Sequence, residues 1–149
     1  MNRHSFGKPL GPLVLAVLFL CLPGLASAEE PMTDRDREAV QQVINGQISA
    51  FKADDSSAAY SFAAPSVRNI FSSEKMFLNM VQRDYKPLYR PVSYTFGRSS
   101  LEAGEVLQEL LVTDRKRQLW QVIYTLERQE DKSWKITNVL MFPYKGVSA

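Results

Sequence analysis

The 149-residue chain has one histidine, His4, and one cysteine, Cys21, and both fall within its first 28 residues. From residue 29 onward no disulfide framework can form, whatever the redox compartment. Zinc sites of the usual cysteine and histidine kinds are excluded there. So are Ser-His-Asp and Cys-His catalysis and any acid/base step on an imidazole. Only Asp, Glu, Lys, Tyr, Ser, Thr and Arg are left to carry chemistry. No motif calls for a metal or a cofactor.

A long apolar run is missing too. Leu13–Leu22 is uninterrupted, but its ten or so residues are about half the roughly 20 a bilayer-crossing helix needs. Arg3 and Lys8 precede it, Pro23 and Gly24 break it, and Ala26-Ser27-Ala28 follows with small side chains at the two positions a signal peptidase must accept. This order of charge, apolar stretch and small residues predicts a cleavable secretory signal over residues 1–28, cut after Ala28. Leu20 before Cys21 is too bulky for a lipoprotein signal, so Cys21 reads as apolar filler. The expected product is a bacterial-type periplasmic or secreted protein with no membrane span after cleavage.

Basic excess is the third absence. Arg3 and Lys8 account for two of the 18 basic residues, and the remainder only balances the 16 acidic ones. A nucleic-acid partner demands a clear positive surplus and is set aside. Residues 29–149 suffice for one domain with its own core.

What is present divides into two halves. Thr33 is placed to cap a helix with Asp34, Asp36 and Glu38 in its first turns. Val40, Val43, Ile44, Ile48 and Phe51 then make one apolar stripe running to about Ala53, with Gly46 and Ser49 small enough for close packing. Asp54 or Asp55 can cap a short second helix that ends by Pro65. Ser66 opens a further turn, and Ser73 caps a helix from Glu74 to about Tyr85. Pro87 and Pro91 predict an extended Leu88-Tyr89-Arg90. The period then changes to alternation, giving strands over 92–100, 106–113, 118–128 and from Trp134 to just before Pro143. In the last strand Trp134, Ile136, Asn138, Leu140 and Phe142 share a face. Short turns make neighbouring strands antiparallel, and a helical layer must cover one side: an α+β fold.

Phe51-Lys52-Ala53-Asp54-Asp55, Ala59-Tyr60-Ser61-Phe62-Ala63-Ala64-Pro65, Phe77, Met80-Val81 and Tyr85-Lys86-Pro87-Leu88-Tyr89-Arg90-Pro91 together resemble the bacterial domain-of-unknown-function family DUF4864, a branch of the NTF2-like (SnoaL-like, cystatin-like) superfamily. The resemblance covers nearly all of residues 29–149. It implies a curved antiparallel sheet closing on helices as a cone, which can hold a ligand or be filled by side chains. It carries no activity. Steroid isomerases and polyketide cyclases of the superfamily use acids and tyrosines inside the cone, but their motifs do not align onto positions here.

The candidate residues each have a structural alternative. Asp54 and Asp55 can serve as an acid/base pair or cation ligands, while capping accounts for one of them. Tyr60, Arg68, Tyr85, Tyr89 and Arg90 can line the mouth of the cone, where tyrosine hydroxyls and a guanidinium bind a ligand. Equally, the tyrosines can fill the helix–sheet seam with Arg90 paired to Asp54 or Asp55. Trp120, Tyr124 and Trp134 suit a core or dimer surface better than a ligand cage, and Arg115-Lys116-Arg117 reads as a solvated hairpin with a minor option on anionic lipid. The leading expectation is an exported, non-catalytic module binding an unknown small molecule or protein, with a homodimer expected by analogy. The alternatives are an Asp/Tyr-dependent isomerase, cyclase or dehydratase-like enzyme and a purely structural accessory module.

Overall fold

Thr33 starts the first helix: its hydroxyl oxygen accepts from the Asp36 backbone N–H at 3.1 Å, and Asp34 and Asp36 meet the positive end of the helix dipole. In the computed structural model, which describes residues 31–146, this helix is α1 (Asp34–Lys52). Val40, Ile44 and Ile48, spaced by four, lose all solvent exposure against the sheet. The expected signal segment, including the expected cleavage residues Ala26 and Ala28, lies outside the described residues.

Four shorter helices follow: α2 (Ser56–Ser61), α3 (Pro65–Arg68), α4 (Glu74–Asp84) and α5 (Lys86–Tyr89). Asp55 caps α2 by accepting from the Ala58 N–H at 2.9 Å, and Ser73 caps α4 through the Met76 N–H at 3.2 Å. Gly46 is where α1 and α2 meet, since a Cβ there would come within 2.5 Å of the Phe62 ring. Phe62 also packs against the main core cluster.

The antiparallel sheet runs β1 (Ser93–Glu102), β2 (Glu105–Thr113), β3 (Leu119–Arg128) and β4 (Trp134–Pro143), in that spatial order. Inward alternation is regular in β2 and β3, where Val106, Leu110, Val112, Val122, Tyr124 and Leu126 are buried under α1. Gln108 occupies an inward position as well. Its buried amide nitrogen donates to the carbonyls of Gly97 (3.2 Å), Arg98 (3.3 Å) and Glu109 (2.9 Å), which satisfies a bulge between Phe96 and Ser99.

Two segments differ from their sequence patterns. Leu88 and Tyr89 are helical, not extended, with both N–H groups bonded to the Tyr85 carbonyl at 2.9 and 3.0 Å. Pro87 stands in the first turn of α5, where its missing N–H would have no intrahelical partner. Arg90, before Pro91, leaves the helix with φ −144° and ψ 75°, out of the α region that a following proline disfavours. In β4, Thr125 pairs with Asn138 and Leu126 with Ile136, so Thr137 is an extra residue. The bulge reverses the faces beyond it. Trp134 and Ile136 point inward, then Val139 and Met141 pack on the core, while Leu140 and Phe142 face outward, nearly half exposed.

β4 would be a bare edge over its first half. The strand connecting α2 to α3 covers it: Ile136 N–H donates to the Phe62 carbonyl at 2.9 Å and Ala64 N–H to the Ile136 carbonyl at 2.8 Å. The Phe62-Ala63-Ala64-Pro65 string is therefore an edge guard that turns directly into α3.

Candidate functional site

Two buried clusters meet beside the β4 bulge. One joins α1 to the sheet; the other, built from Ala50, Phe51, Ala59, Ala63, Phe77, Leu78 and Val81, joins α1, α2 and α4. Their surfaces do not close on each other. The gap is a cleft of about 290 Å³, walled by Phe51, Phe77, Val81, Tyr85, Leu88 and Val139, with Ile70, three-quarters exposed, among its lining. For scale, an apolar cavity of about 150 Å³ can hold benzene. The bulge contributes directly, because Thr137, Asn138 and Val139 all line the cleft.

Tyr124 is, with Gln47, Tyr85, Thr137 and Asn138, one of the polar residues in this largely apolar wall. It lies on the inward face of β3, is fully buried, lines the cleft, and its hydroxyl has no hydrogen-bond partner. Burial above all, with smaller contributions from Tyr94 and Tyr85, pushes this hydroxyl far above the phenolic range. It remains a neutral O–H donor at any physiological pH. Nearby polar groups are largely engaged: Gln47 donates to the Ala59 carbonyl at 3.3 Å, and the Tyr85 hydroxyl makes a long contact of 3.4 Å with the Val139 carbonyl. Among the described residues no carboxylate and no cation lines the cleft.

The structure divides the sequence candidates among four places. Tyr85 alone is in the cleft wall. Tyr60 donates to the Arg68 carbonyl at 2.8 Å, stacks edge-on against Phe77, and has the Arg68 guanidinium over its ring. Tyr89 and Arg90 form a surface network with Asp54: the Tyr89 hydroxyl and the Arg90 guanidinium both donate to its carboxylate, the latter at 2.7 Å. Arg90 also stacks on the Tyr89 ring at 4.9 Å. Asp54 reaches them because it adopts a left-handed backbone, φ 53°, at the end of α1. Asp55 is the α2 cap, so the two adjacent carboxylates serve different partners. Among the described residues no group of three or more acidic, His or Cys side chains could hold a metal ion.

Sequence reasoning placed Tyr124 in a core-or-dimer set and passed over Gln47, Thr137 and Asn138. The usable signal for Tyr124 was a hydroxyl at an inward position between Val122 and Leu126, where nothing nearby in the sequence can bond it. Thr137 and Asn138 depend on the bulge, which strict alternation conceals.

An α+β layer of helices on an open four-stranded antiparallel sheet is the architecture of NTF2-like proteins. The chain is similar to the crystal structure of an NTF2-like protein of unknown function from Shewanella baltica OS155, with TM-score 0.52 and 12% identity over 76% of this chain and 99% of that one. It also matches an NTF2-like protein of unknown function from Silicibacter pomeroyi DSS-3, with TM-score 0.49 and 15% identity over 76% of this chain and 100% of that one. No curated protein matches the chain. With this NTF2-like fold, it belongs to the family described as domain of unknown function DUF4864, whose model matches residues 33–149.

Proposed function

We propose that this domain is a non-catalytic binder of a small, neutral, mainly apolar molecule held in the cleft beside the β4 bulge. The observation that carries the reading is the unpartnered Tyr124 hydroxyl. A buried hydroxyl without a partner costs about 1–3 kcal/mol, and a ligand carbonyl or ether oxygen that displaced the side chains covering it would recover much of that cost. A charged ligand is disfavoured, because no lining side chain could neutralise it. The same lining favours binding over Asp-dependent proton abstraction, which needs a carboxylate at the substrate. The leader at residues 1–28 supports a site of action outside the cytoplasm. Native mass spectrometry of the protein from its own host tests the proposal. A bound organic mass lost on Tyr124→Ala substitution is expected; ligand-free protein under gentle conditions, with no uptake of hydrophobic probes, would count against it.

A homodimer through the outer sheet face is the accompanying reading. The β4 reversal puts Leu140 and Phe142 outside at 45% and 47% exposure, with Leu119 and Tyr144 beside them. A two-fold axis would set this row against its own copy. Sedimentation should show a dimer that Phe142→Asp converts to monomer.

A further inference from the structure

A second hollow, of about 750 Å³, lies between the α4–α5 junction and the β2–β3 hairpin, with Tyr89, Trp120 and Met141 among its lining. Five cations border it, Arg83, Lys86, Arg90, Arg115 and Lys116, against two carboxylates, Asp84 and Asp114. Both acids are already engaged. Arg83 clamps Asp84 with bonds of 2.8 and 2.7 Å. Asp114 accepts from the backbone N–H groups of Lys116 (2.8 Å) and Gln118 (2.9 Å) and from the Trp120 indole (3.0 Å). These bonds pin the hairpin that carries Arg115 and Lys116 to the side chain of Trp120.

Lys86, Arg115 and Lys116 have no salt-bridge partner among the described residues. Arg90 reaches Asp54 through one terminal nitrogen, while its Nε is buried with no partner. This positive concentration is local: past residue 28 the chain's charges balance. Unpaired cations come from two separate elements, Lys86 from α5 and Arg115 and Lys116 from the hairpin. Several cations from separate elements suit a multiply charged anion with several oxygens better than a single carboxylate, and lysine suits phosphate as a point charge.

We infer that this groove is a binding site for phosphate-bearing anions, separate from the apolar cleft and independent of what that cleft binds. The test follows the two indole N–H signals by NMR, since Trp120 lines the groove and Trp134 does not. Pyrophosphate should shift the Trp120 signal saturably and leave Trp134 in place. Lys86→Gln/Arg115→Gln/Lys116→Gln, all at exposed positions, should weaken binding at least tenfold with an unchanged melting temperature. Vesicles of phosphatidylglycerol, against neutral phosphatidylcholine, identify the source: binding to the anionic vesicles without a pyrophosphate response would make the ligand a lipid headgroup. Absence of response to pyrophosphate together with no preference for the anionic vesicles, or wild-type affinity in the triple variant, would overturn the inference.

Discussion

The apolar cleft and the cationic groove share a wall but work by opposite physics. Side chains of α5 part between them: Leu88 faces the cleft, and Lys86 and Pro87 face the groove. β4 does the same, with Val139 on one side and Met141 on the other. In the proposed binding mode, cleft affinity would come from area removed from water and selectivity from one buried hydroxyl. In the groove, charges attract at a distance and salt screens them. A single short helix between two strand positions thus lets one small domain offer two chemically unrelated surfaces.

The largest expected effect removes the shared wall. Leu88 is 1% exposed, and Leu88→Ala should cost about 3 kcal/mol in chemical denaturation, within the usual range for a buried leucine. Filling the cleft separates the two sites more selectively. Val67→Trp should weaken uptake of apolar probes about tenfold or more in fluorescence titration while leaving the Trp120 indole response to pyrophosphate unaltered; parallel losses would show that the hollows are one site. Salt offers the converse. Raising ionic strength from about 0.01 to 0.15 M shortens the screening length from about 30 to 8 Å, so pyrophosphate affinity should fall several-fold and apolar uptake should hold.

A smaller effect concerns Tyr124. Removing an unsatisfied buried hydroxyl should make Tyr124→Phe about 1 kcal/mol more stable than the empty wild type in thermal or urea unfolding. The smallest is in acid. Bonds from the Trp120 indole, then from Gln118 and Lys116, hold the Asp114 carboxyl below its ordinary 3.8. Its contribution is present above that value and lost as pH falls through the lower native one. Asp114→Asn should therefore lower stability slightly at neutral pH and flatten its decline below pH 3.8.

Much of this fold is legible as local chemistry. Thr33, Asp55 and Ser73 announce the helix starts, and Val122, Tyr124 and Leu126 mark the inner face of β3. Pro87 misleads because proline suits a first helical turn as well as an extended segment. The Thr137 bulge is invisible to a period-two pattern, and with it go the cleft's polar lining and the outward turn of Leu140 and Phe142. The Arg90–Asp54 pair is one of the alternatives the sequence offers, whereas the left-handed backbone at Asp54 that accompanies it is not signalled.

The sharpest test compares a bicyclic aromatic ketone with its parent hydrocarbon, titrated against wild type and Tyr124→Phe. One buried hydrogen bond is worth about 1 kcal/mol, roughly fivefold, so wild type should prefer the ketone by that factor and the variant should lose the preference. Equal affinities in wild type, or a preference that survives in Tyr124→Phe, would contradict a cleft organised around that hydroxyl.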